Sequence, residues 1–437
     1  MSAAVKANAM DVHGHFLSAA QEAQGALSEA TGGLAALRAA GLAALESASW
    51  PTAKTESWKY SRLTKLLDSA FLSASADALG EAKAAQPDET FGACVLSAAD
   101  GLVMPQSGLP DGVTLQAVSA LQACPEALKP TGEAFNALNA ALAPDAFVLT
   151  VASGICVAEP LLLELAQGAS GAFLRIEVRL EEGSSLTLLE RQRGDRHAFF
   201  SAVSNLTLEA GAQLTHQRLG LIGGEGRWLS QHAVTLGSRA HYGLLLAQGG
   251  AAFRRNELSI DLRGHRATVA VSGASLTDGA QHLDTQLAMN HCEPEGTSTQ
   301  RFRALAAGNS KTTLNGRIHI LPRAQKSDAA FNVRSLLLFR GAELNAKPEL
   351  EIYADEVACA HGATVGELDG ASVFYLRSRG LTEQAARAAL SYAHLATVIE
   401  GVEDEALAAY LSSAFKAAFD RAFAQASDAG ATRVEVI

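Results

Sequence analysis

Cys359 and His361 stand two residues apart in the stretch YADEVACAHGATVGELDG, residues 353–370. On an extended strand such positions project from one face, about 6–7 Å apart. A thiolate and an imidazole so placed can both bind iron or another thiophilic metal. The plainer reading is a buried cysteine acting as a small hydrophobe beside a locally hydrogen-bonded histidine, and spacing alone favours it. Gly362, Ala363 and Thr364 offer little bulk to bury the ring, which moves the balance back toward a ligand pair. Two ligands are still only half a site. The remaining cysteines, Cys94, Cys124, Cys156 and Cys292, are scattered and form no C-x-x-C pair. Neither a disulfide framework nor a self-contained zinc or ferredoxin-type centre is expected.

Other candidates are weaker. His291 and Cys292 are neighbours in NHCEPEG, but adjacent strand residues face opposite ways, so His291 reads as a loop or turn histidine. His13 and His15, near the N-terminus, receive no role. The segment GNSKTT (308–313) lacks the glycine that a Walker loop places before its lysine, and no Gly-Lys dipeptide occurs anywhere in the chain. It reads as a turn. The motifs G-x-S-x-G, H-E-x-x-H and G-x-G-x-x-G are also absent. Acid–base attack on a polysaccharide would need carboxylates on one face, for which Asp261 with Glu257, or Asp355 with Glu356, are the best available. Such charges more often form solvated edges.

The elements that must position these residues fall into three regions. Residues 1–143 read as mostly helical, with Leu27, Leu34, Leu37 and Leu45 near helical spacing, followed by the charged and aromatic knot PTAKTESWKY (51–60). From 144 to 370 the period becomes two: Leu174, Ile176, Val178 and Leu180 alternate with charged residues, as do Leu206 with Leu208 and Leu258, Ile260 with Leu262. Strand ends carry Gly183, Gly211, Gly237, Gly264, Gly279, Gly308 and Gly341, a degenerate repeat near 28 residues broken by one short gap of 15. This favours a β-solenoid over a sandwich. From 371 to 437 the helical period returns. Thr382 is placed to cap a helix ending near Gly401, and a second, over about 403–425, carries Leu407, Leu411, Phe415, Phe419 and Phe423 at steps of four. That stripe suits either the chain's own core or a partner-docking face.

Bulk properties set outer bounds. The chain has 437 residues, 48% hydrophobic and 19% charged, and 35 basic against 46 acidic residues leave it at −11. That balance argues against nucleic acid or an anionic membrane as the main partner. No apolar run approaches the roughly 18 residues of a membrane span, and no secretory signal is legible, so a cytoplasmic location is expected.

The blocks KPELEIYADEVACAHGATVGELD (347–369), FYLRSRGL (374–381), AQKSDAAFNVRSLLL (324–338) and PTAKTESWKY resemble the SufB/SufD family of the SUF iron–sulfur cluster assembly system. The cysteine-bearing motif is similar to the SufD type rather than the SufB type, and the match runs in order over about 51–400. The resemblance implies a mainly β fold, a right-handed parallel β-helix core flanked by helical N- and C-terminal domains. It implies a non-enzymatic scaffold subunit of a SufB–SufC–SufD complex, paired with SufB through the β-helix ends, and with the SufC ATPase through the C-terminal helices. The cargo would be a nascent iron–sulfur cluster, held transiently and shared with SufB. His361 would face it, with Cys359 as its helper. Neither an ATP nor a flavin pocket is expected in this chain, and a homodimer in isolation would be compatible. The strands at LLLF (336–339) and LEIYA (350–354) are expected to meet the SufB edge. A stand-alone β-helical carbohydrate-active enzyme is the alternative.

Overall fold

The computed structural model describes residues 12–27, 29–52, 54–61, 94–99, 101–106, 108–167, 171–194, 199–221, 226–338, 341–399, 402 and 404–428. Strands alternate between two sheets, one strand to each sheet per coil. One sheet runs through β5 (Leu161–Gln167), β7 (Ser185–Gly194), β9 (Gln213–Gly220), β11 (His241–Gly249), β13 (Thr268–Thr277), β15 (Thr297–Ala306), β17 (Asp328–Leu337) and β19 (Ala358–Gly366). The other runs through β4 (Phe147–Val151), β6 (Ala172–Leu180), β8 (Phe199–Leu208), β10 (Arg227–Leu236), β12 (Phe253–Leu262), β14 (His282–His291), β16 (Lys311–Ile320) and β18 (Glu343–Ile352). Every pairing within these two series is parallel, so the chain is a parallel β-solenoid. At its start β1 (Cys94–Ala99) joins β5 in parallel, and β2 (Leu102–Pro105) and β3 (Val113–Ala117) add as antiparallel strands.

The period-two pattern sets the register. Leu206, Val234, Ile260, Met289, Ile318 and Leu350 lie opposite one another in successive coils, forming an inward ladder along the solenoid. A slip of one residue would turn this whole ladder outward, so burial pins each coil. Phenylalanines fit the ladder where glycine leaves room. A Cβ at Gly316 would stand 2.2 Å from Phe331 Cζ, and one at Gly273 would stand 2.1 Å from Phe302.

The corners explain the irregular glycine spacing. Gly183, Gly211, Gly237 and Gly264 follow strands of the second sheet, whereas Gly279, Gly308 and Gly341 follow strands of the first. The gap of 15 is half a coil, where the glycine signal passes from one corner to the other. At the first corner the left-handed position recurs as Gly154, Gly183, Gly211, Arg239, Arg266, Glu295 and Lys326. Each of their N–H groups donates to the next coil, for example Gly211 to Ser238 and Arg239 to His265. The backbone column persists although its residue type changes, because the inter-coil hydrogen bond supports the φ that a side chain disfavours.

Helices cover the outer faces. α1 (Val12–Ala26), α2 (Gly32–Ser47) and α3 (Ala134–Leu142) precede the parallel coils; α4 (Gly370–Ser378), α5 (Glu383–Ala396) and α6 (Glu405–Asp428) follow them. Arg175, on the charged face of β6, is fully buried and donates to Leu128 O at 2.6 Å, to Asn136 and to Asn139. The PTAKTESWKY knot lies on the same side: Trp58 stacks against Phe135, and the Arg255 guanidinium sits 4.0 Å over its ring. Thr382 caps α5 by accepting from Ala385 N at 3.2 Å. The helix ends at Ala396, and Gly401 lies outside the described residues.

The regular stripe on α6 is core. Leu407, Leu411, Phe415 and Phe419 are at most 2% exposed and pack on Leu162, Leu189, Leu219 and Leu245 from the outward face of the first sheet. Among the two readings of that stripe, burial leaves no docking face along it; only Phe423 is partly exposed.

Candidate functional site

The solenoid ends in two uncovered strands. β18 is the last strand of one sheet and β19 of the other. In β19, Cys359 lies opposite Ala329 and His361 opposite Phe331. Ala329, Phe331 and Val333 point into the core, at 1%, 2% and 1% exposure. Cys359 and His361 therefore continue the inward column into a coil that nothing covers. Cys359 rests half-buried against the core, and His361 is exposed. The residue after His361 keeps the approach open: a Cβ at Gly362 would meet nothing closer than Asn332 Nδ2 at 3.6 Å.

The electrostatics suit a weak, completable site. Burial raises the Cys359 thiol above its ordinary range, and the nearby Asp328 charge raises it further, while the Ala329 N–H works the other way. The thiol therefore stays protonated at neutral pH, and a metal must displace that proton to bind. Among the described residues no three His, Cys, Asp or Glu side chains gather as a metal site. This end of the chain presents a thiol, an imidazole and an opening.

The surroundings are apolar and exposed. Seven large hydrophobic side chains are exposed among the described residues, and six of them, Ile352, Tyr353, Val365, Phe374, Tyr375 and Leu381, lie between 352 and 381. Sequence reasoning missed this concentration, since no periodic pattern marks it. It also missed that Glu56 of the N-terminal knot reaches the terminal coil, pairing with Lys347 of β18 at 2.5 Å. One expectation is corrected here: Leu336 and Leu337 close β17, which β19 covers (Leu336 opposite Gly366). Leu336 and Leu338 pack toward the helices instead. The free edges belong to β19 and to β18, which contains most of LEIYA, and Phe339 lies outside the described residues.

The other candidates are not brought together. His291 is fully buried on β14 rather than in a loop, bonded to Ser298 Oγ at 2.8 Å, and burial lowers its ring to about 4. Cys292 sits at the following corner, its thiol raised by burial and by Asp261. Glu257 is held by Arg255 and Gln231, and Asp261 by Arg263 and Asn290, so the proposed carboxylate pair is divided. Asp355 and Glu356 are exposed on the turn before β19. Gly308, at φ +63, makes GNSKTT a corner turn. The side chains of His13 and His15 lie outside the described set.

The family model "SUF system FeS cluster assembly, SufBD core domain" matches residues 163–394. The iron–sulfur cluster assembly protein SufD of Escherichia coli (strain K12) is 32% identical over 80% of this chain and 84% of its own length. A SufBD family iron–sulfur cluster assembly protein of Synechocystis is 28% identical, over 62% and 63% respectively. The chloroplastic protein ABCI7 of Arabidopsis thaliana is 28% identical, over 68% and 67%. A relative that is covered over most of both chains, and a family model spanning more than half of this one, place the chain in the SufBD family of the SUF iron–sulfur cluster assembly system, on its SufD side.

Proposed function

Within iron–sulfur cluster assembly, we propose that this chain is a non-enzymatic scaffold subunit of a SufB–SufC–SufD complex, working in the cytoplasm. Its β18 and β19 edges would pair with the end of a SufB solenoid, and the nascent cluster would be assembled as cargo between them. His361 would supply one imidazole to that cluster and Cys359 a secondary thiolate. One observation supports this reading: the inward column that ends in Cys359 and His361 runs out, uncovered, at a sheet edge flanked by exposed aromatics.

Physical chemistry supports the division of labour. Exposed strand edges carry unpaired N–H and C=O groups that another sheet can satisfy. A scaffold must also release what it builds, and an incomplete ligand set from each chain holds a cluster less tightly than four thiolates from one. We assign residues 1–143, 144–370 and 371–437 as three functional units, the last the dock for SufC. With the α6 stripe buried, that dock must use the outward faces of α4 to α6. ATP and flavin would be supplied by partners.

The test is co-expression with SufB and SufC. His361→Ala should leave the complex intact by native mass measurement and abolish cluster assembly in cells lacking any other source. Normal cluster assembly in that variant would remove His361 from the site. A chain recovered only as a homodimer when SufB is present would overturn the heterodimer.

A further inference from the structure

The early coils of the solenoid are not apolar throughout. Glu190 of β7, His216 and Arg218 of β9, His232 of β10, Tyr242 of β11 and Arg254 of β12 occupy inward positions, and none is more than 4% exposed. Arg218 Nε donates to Glu190 at 2.7 Å, and His216 Nε2 lies 3.1 Å from the other carboxylate oxygen. His216 Nδ1 is 3.0 Å from the Tyr242 hydroxyl. Arg254 crosses the interior to Gly220, where a Cβ would stand 2.3 Å from its Nη1. That nitrogen donates to Gln192 Oε1, and the guanidinium lies 5.3 Å from the Trp228 ring.

The charges do not balance. Among the described residues the inward positions carry one carboxylate, Glu190, and two guanidiniums. Burial, and then the Arg218 charge, lowers Arg254 to about 9, which leaves it protonated at neutral pH. Burial and Arg218 also hold His232 well below its ordinary range, so it is neutral. Several donors remain unused: Arg218 Nη1 and Arg254 Nε and Nη2 have no hydrogen-bond partner, and neither does the single N–H of the neutral His232 ring. Unpaired buried charge costs several kcal/mol, and buried donors are almost always satisfied.

We propose that the solenoid interior encloses a small monovalent anion of halide size, accepting from Arg254 and Arg218 beside His232. Such an ion neutralises the excess charge and fills the vacant hydrogen bonds at once. Ordered water could do only the second. The site lies three to five coils from the terminal coil that carries His361, so its role is to hold the earlier coils together. It is independent of cluster assembly.

The test uses full-length protein purified and crystallised in sodium bromide in place of chloride. A bromide anomalous peak within hydrogen-bond distance of Arg254 and Arg218 is the expected result. Density there without anomalous signal would mean water and would overturn the proposal. In solution, the thermal midpoint should rise with chloride or bromide at fixed ionic strength, against gluconate as the bulky control. Gln192→Glu places a carboxylate beside Arg254 at nearly constant volume. That variant should lose both the halide peak and the halide-dependent shift. An unchanged shift in the variant would show that the effect arises elsewhere.

Discussion

Replacing Phe415 by alanine separates the two readings of the C-terminal stripe. The ring is 0% exposed, in the cluster where α6 meets the outward side of β5, β7, β9 and β11, with Tyr392 at 6.4 Å centroid distance. Truncating so enclosed a phenylalanine costs about 3–5 kcal/mol through lost transfer energy and the cavity left behind. The solenoid's inward ladder forms a separate cluster that α6 does not touch. The loss should therefore fall on docking of the helix rather than on the coils. Hydrogen exchange reads this directly: amides of residues 405–428 should exchange on the order of a hundredfold faster or more, with β8, β10, β12, β14 and β16 of the other sheet unchanged. If those helical amides keep their protection, the stripe does not anchor the helix and the energetic reasoning fails. Simultaneous loss of protection in the strands would refute the separation of the two clusters.

Other outcomes follow from the same coordinates. A Cβ at Gly264 would lie 2.0 Å from the Gly237 carbonyl carbon, so Gly264→Ala should lower stability by about 2 kcal/mol or more in urea unfolding. Gly362→Ala should cost under about 0.5 kcal/mol, since its surroundings are open. His291 titrates near 4 when folded against an ordinary 6.5. Between those values the unfolded chain binds a proton that the folded chain refuses, so stability falls as pH drops through that window, by up to about 3 kcal/mol. Urea midpoints measured from pH 7 to pH 4 should show this slope, and His291→Gln should flatten it. His361→Ala, at an exposed position, should leave the unfolding midpoint of the isolated chain within about 0.5 kcal/mol of wild type. A larger loss would make its assembly phenotype a folding defect.

Much of the architecture was written in local pattern. Alternation of Leu174, Ile176, Val178 and Leu180 has one consequence wherever the strand lies, because successive side chains must face opposite ways. The glycine repeat carried the coil length for the same reason, and Thr382 declared a helix start through a bond to its own third neighbour. Cys359 and His361 were legible as a pair, since strand spacing alone puts them on one face. What lies across the fold was not legible. Which face of α6 is buried, that Leu336 is covered while β19 is free, and that His291 is sealed inside all depend on neighbours a full coil or more away in sequence.

From its sequence by itself, this protein is committed to alternating strands, glycine-bearing corners and terminal helices, because those follow from bonds and steric limits within a few residues. The tertiary structure alone decided which inward positions are closed over and which are left at an open end. Burial is a property of the last coil having no successor, and no residue carries that in its own identity. The same imidazole would be a silent core group one coil earlier; at the terminal edge it can meet a second chain.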